Sequence, residues 1–85
     1  MFDIAVIPGV ASYKDNSDEM FDRLLLEFEN GESISIIRGD YSYGGNLGLF
    51  EIMPSNSEAL GIGDEVMGYL TKEKVIEYAT KLSNL

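Results

Sequence analysis

The chain has 85 residues, a formal net charge of −9, 45% hydrophobic and 25% charged residues, and neither cysteine nor histidine. That length suits one domain, 1-85, burying roughly 60–65% of its unfolded surface. The composition excludes a disulfide framework, a zinc site built on nitrogen or sulfur ligands, and thiol or imidazole catalysis. The acidic balance repels nucleic-acid phosphates and anionic lipid, so direct nucleic-acid binding and a membrane-surface role are disfavoured, while a basic groove on another protein would be attracted.

The N-terminal apolar run does not read as a signal peptide, because Asp3 occupies the position that needs a cation and Pro8-Gly9 interrupts the run. No apolar stretch approaches the ~20 residues that span a bilayer. A soluble, intracellular protein is expected. In chain order, Phe2 to Pro8 alternates and is rich in β-formers, so it reads as a first strand stopped by Pro8. Gly9 to Glu19 is polar and turn-rich and reads as a loop.

Met20 to Phe28 fits two templates. Met20, Phe21, Leu24, Leu25 and Phe28 recur at helical spacing, with Ser17 and Gly31 as caps, yet Leu24, Leu26 and Phe28 also alternate ahead of Asn30-Gly31. Register decides for a hairpin. A two-residue loop at Asn30-Gly31 would set Phe28 against Ser33 and mix polar with apolar residues on each face. A three-residue loop, Glu29-Asn30-Gly31, sets Phe28 against Glu32, Leu26 against Ile34 and Leu24 against Ile36. That gathers five apolar side chains on one face, with Gly31 as the left-handed residue closing the turn.

Gly39 to Asn46 then reads as a glycine-rich reversal, followed by a strand from about Leu47 to Met53 that Pro54 ends. Ser55 to Glu65 is a turn-rich connection, and Val66 to Leu70 a short last strand. Thr71 caps a helix whose stripe is Val75, Ile76, Ala79 and Leu82, with Tyr78 at its border. The expected architecture is α+β: an antiparallel sheet of three to four strands with the C-terminal helix packed on one face. Leu24, Leu26, Phe28, Ile34, Ile36, Phe50, Ile52, Val75, Ala79 and Leu82 form its expected core.

Candidate chemistry is sparse. Gly44 to Gly48 lacks the lysine and the following helix of a phosphate-binding loop and reads as a turn. Asp15, Asp18 and Glu19 lack the glycine and closing glutamate of a calcium loop, so no cofactor or metal is expected. Arg38-Gly39-Asp40 reads as a chance match to an adhesion tripeptide. Tyr41 and Tyr43, flanked by Arg38 and Asp40, form one candidate partner-binding group, because aromatic rings on glycine-rich loops anchor interfaces. The alternative is that one ring folds back over the sheet. Glu27, Glu29 and Glu32 form a second, acidic group.

From Phe28 onward, the run "FENGESISIIRGDYSYGGNLGLFEI" and then "DEVMGYLTKEKVIEYATKL" resembles a widespread group of small uncharacterised bacteriophage proteins. The resemblance rests on Phe28, Asn30, Gly31, Ile37, Arg38, Tyr43, Gly44, Gly48, Leu49, Phe50, Glu51, Asp64, Val66, Gly68, Tyr69, Leu70 and Thr71. It implies phage origin and supports the hairpin, and it supplies no activity. The resulting expectation is a non-enzymatic protein that binds and inhibits a host protein in the host cytoplasm, such as a nuclease or antiviral-defence factor with a basic nucleic-acid groove. Two alternatives stand beside it: an assembly protein that self-associates through an edge strand, and a module that sequesters a small ligand under a Tyr41/Tyr43 lid.

Overall fold

The structure, a computed structural model, describes residues 3–85. Among these, five strands form one antiparallel meander in the order β1-β2-β3-β4-β5: β1 Val10–Asp15, β2 Phe21–Phe28, β3 Ser33–Gly39, β4 Phe50–Pro54 and β5 Met67–Leu70. A single α-helix, α1 (Lys72–Ser83), follows. The class is α+β, with one strand more than the three to four expected from the sequence. No helix among the described residues is long and apolar enough to cross a membrane.

The added strand lies where a loop was expected. Residues 10–15 pair with β2, while Ile4–Val6 form a single 3₁₀ turn in place of the expected first strand; Phe2 lies outside the described residues. Both corrections have a local cause. The Asp3 carboxylate accepts from Ala5 N–H (3.1 Å), so a short polar side chain diverts the backbone into a turn. β1 is an edge strand exposed on both faces from Ala11 to Asp15, so it carries no alternation of burial to read. The true reversal is shorter than the expected loop. Asp18 accepts from Met20 and Phe21 N–H, and Ser17 Oγ accepts from Arg23 N–H.

β2 and β3 form the expected hairpin. Leu24 faces Ile36, Leu26 faces Ile34, and the closing bonds run from Phe28 N–H to Glu32 O (2.8 Å) and from Gly31 N–H to Phe28 O (3.0 Å). Gly31 sits at φ 87°, the left-handed geometry that closes a three-residue turn. The turn also braces the helix, since Asn30 Nδ2 donates to Leu82 O (3.0 Å) and occupies one of the carbonyls a helix leaves open at its C-terminal end. At the other end, Thr71 Oγ1 accepts from Lys74 N–H (3.2 Å).

Every residue expected in the core is buried. Ile7, Leu60 and Leu70 join them, the first two from the 3₁₀-rich connections, whose short runs have no period to betray an inward side chain. Strand β4 begins at Phe50 and not at Leu47, which lies in a 3₁₀ turn, Gly45–Leu47. The helix covers one face of the sheet, and the other stays open. Leu25 and Ile37 are half-buried on that open face and Met53 is exposed.

Candidate functional site

Between Phe50 and Ile52 the β4–β5 register shifts, so that Gly68 and Tyr69 together stand opposite Glu51. Such a bulge turns one residue out of the ladder and re-aims its neighbours. Tyr69 is the residue turned, and it takes φ 59°, the one positive φ at a non-glycine position among the described residues. Its N–H donates to the carbonyl of Tyr43 (3.0 Å), and the Tyr43 N–H donates to Glu51 Oε1 (2.9 Å). Glu51 is buried, so its carboxylate is committed to anchoring the loop after β3.

Two glycines permit that approach. A Cβ on Gly68 would collide with Tyr43 Cβ and stand 2.9 Å from the Tyr43 carbonyl oxygen; one on Gly44 would stand 2.9 Å from Tyr69 Cα. The loop therefore lies against β5 with backbone on backbone. Deeper in the same loop, Ser42 Oγ accepts from Gly39 N–H (2.9 Å), holding the reversal at its base.

Beside this contact runs a groove of about 620 Å³, open to solvent, lined by Tyr43, Asp64, Glu65, Val66, Gly68 and Tyr69. Tyr43 is 59% and Tyr69 62% exposed, and Asp64 and Glu65 are exposed carboxylates. No described group of three or more acidic side chains is arranged to hold a metal ion.

The candidate residues from the sequence separate into distinct places. Tyr43 lines the groove. Tyr41, at 96% exposure, projects from the loop and covers nothing, and Asp40 is exposed beside it. Arg38 is turned to the helix side of the sheet, where it pairs with Asp22 (2.7 Å) and lies over the Phe50 ring at 4.6 Å. Gly39 is buried against the Phe21 ring, so the Arg-Gly-Asp tripeptide belongs to a strand end and is not displayed on a loop tip.

The acidic group lies at the opposite end of β3, roughly 20 Å away at ~3.3 Å per residue. Glu27 is exposed on the open face and Glu29 in the hairpin turn, while Glu32 is half-buried and accepts from Ser55 Oγ (2.9 Å). The two groups do not form one site. No local sequence pattern marks Asp64, Glu65, Val66, Gly68 or Tyr69 as binding residues. A signal existed in the glycines, because residues that must touch backbone to backbone leave a Gly on each side, here Gly44 and Gly68.

Tyr43, Gly44, Glu51, Gly68 and Tyr69 build the loop–strand contact, and Asp64 and Val66 flank it. No family model, curated protein or solved structure matches the chain.

Proposed function

We propose that the chain is a non-enzymatic binding domain that engages a protein partner through the Tyr43/Tyr69 groove and the acidic surface around it. The observation that carries this reading is the groove itself: two exposed tyrosines and two exposed carboxylates where the loop after β3 docks on β5, in a chain of net charge −9. Aromatic side chains held in place lose little conformational freedom on binding and serve as anchors, and the acidic field steers a basic partner toward them. The phage-protein resemblance directs the reading to a host protein in the host cytoplasm, with a nuclease or antiviral-defence factor bearing a basic nucleic-acid groove as the class of target.

The test is capture from host lysate by the immobilised chain across a salt series. Capture is expected to fall steeply as salt rises from ~0.05 M to ~0.5 M, where exposed charges become screened over a few ångströms. Capture that is indifferent to salt rejects the charge-based mechanism.

Self-association is the second reading, and β1 supplies an edge for it. Lys14, Asp15 and the register shift between Val10 and Ser12 count against it, because charges and bulges are the devices that keep sheet edges from pairing. Light scattering decides: a mass that stays monomeric at every concentration removes this reading.

A further inference from the structure

We propose that the groove receives an arginine side chain from a segment of the partner polypeptide. This deepens the protein-binding reading and rests on it. The groove offers two kinds of surface at once. Tyr43 and Tyr69 bring aromatic rings to its lining, Asp64 and Glu65 bring carboxylates, and Val66 and Gly68 complete it. None of the chain's six cationic residues lines it, so the negative charge there is not answered from within the groove.

An organic cation suits this combination better than a metal ion, since an ion needs several converging oxygens and no described acidic group supplies them. Among organic cations, arginine fits better than lysine. A guanidinium is planar, stacks on aromatic faces and donates paired hydrogen bonds to a carboxylate. It is also weakly hydrated, so it gives up little on entering a shallow site, whereas an ammonium is compact and strongly hydrated. The aliphatic stem of arginine would lie along Val66 while its head meets the carboxylates.

The experiment is an NMR titration of the full chain with a blocked Gly-Gly-Arg-Gly-Gly peptide, read on the amide resonances. Shift changes are expected at Tyr43, Gly44, Gly68 and Tyr69, with binding at least about fivefold weaker for the lysine peptide and absent for the citrulline peptide, which keeps the shape and loses the charge. Asp64→Asn/Glu65→Gln alters only exposed side chains and should weaken the arginine peptide at least about fivefold, a loss of roughly 1 kcal/mol. Glu27→Gln/Glu29→Gln, at the far end of β3, should leave it unchanged.

Four results would overturn the proposal: equal binding of the citrulline peptide, equal weakening by the two double variants, equal binding of free arginine, or no shift changes at the groove. The two levels separate cleanly. Salt-sensitive capture without peptide binding removes the arginine assignment and leaves the protein-binding reading standing. Peptide binding without any captured protein removes the host-protein reading.

Discussion

Replacing Gly68 by alanine tests whether the groove is built by the backbone contact between the Tyr43 loop and β5. The new methyl would collide with Tyr43 Cβ and press to 2.9 Å on the Tyr43 carbonyl oxygen, against a normal carbon–oxygen separation of about 3.3 Å or more. Because these neighbours are Cβ and backbone, no flexible side-chain end can swing away, and the loop must retreat by on the order of 1 Å. That retreat stretches the 3.0 Å bond from Tyr69 N–H to Tyr43 O beyond hydrogen-bonding range. Overpacking costs about 1–3 kcal/mol and the lost bond a further ~0.5–1.5 kcal/mol, so the variant should be destabilised by about 2–4 kcal/mol. A domain of this size has a total stability of roughly 4–13 kcal/mol, so the change is large but can leave a folded population.

Urea unfolding measures it. With a slope of ~1 kcal/mol/M, the midpoint should fall by about 2 M or more. Amide exchange should show faster exchange at Tyr69 and Tyr43 while Leu26 and Ile34, in the hairpin core, stay the slowest. Gly63→Ala is the control, since nothing lies within 4 Å of its added methyl and its φ is not positive. An unchanged midpoint with unchanged Tyr69 protection in Gly68→Ala would refute the reasoning.

Glu51→Ala removes the acceptor of the Tyr43 N–H and should cost about 1–3 kcal/mol, whereas Glu51→Gln keeps an acceptor oxygen and should cost less; urea midpoints of the two variants check the order. Gly31→Ala meets no atom within 4 Å, so its expected loss of about 1–2 kcal/mol is purely the strain of a left-handed alanine, and a neutral result in thermal unfolding would place the hairpin turn elsewhere. On the exposed side of α1, Lys74 Nζ lies 2.8 Å from Glu77 Oε2; hydrogen bonding and attraction to Lys74 hold the Glu77 carboxyl below its usual range and raise Lys74. The carboxylate's contribution is present above the ordinary value of 4.5 and disappears as pH falls through the lowered one. The ammonium's contribution is present below 10.5 and disappears as pH rises through the raised one. Wild type and Lys74→Gln should therefore differ slightly in unfolding midpoint at neutral pH and converge at both extremes; a difference that persists in strong acid would show another cause.

The amino-acid order by itself determined the β2–β3 hairpin, the core and the helix, because each of these buries one face. Burial writes a period of two residues into Leu24, Leu26, Phe28, Ile34 and Ile36, and a helical stripe into Val75, Ala79 and Leu82, and a turn that must close with a left-handed residue asks for Gly31. Only the tertiary structure decided where β1 lies, since an edge strand exposed on both faces buries too little to leave a pattern. It also decided the groove. Tyr43 and Tyr69 stand 26 positions apart in the sequence and meet through a bulge and two glycine contacts, a relation set by sheet order that no local periodicity encodes. Arg38 and Tyr43, close in sequence, are separated because β3 ends at Gly39: the strand turns the guanidinium to Asp22 and Phe50, and the loop that follows carries the tyrosine to β5 and solvent.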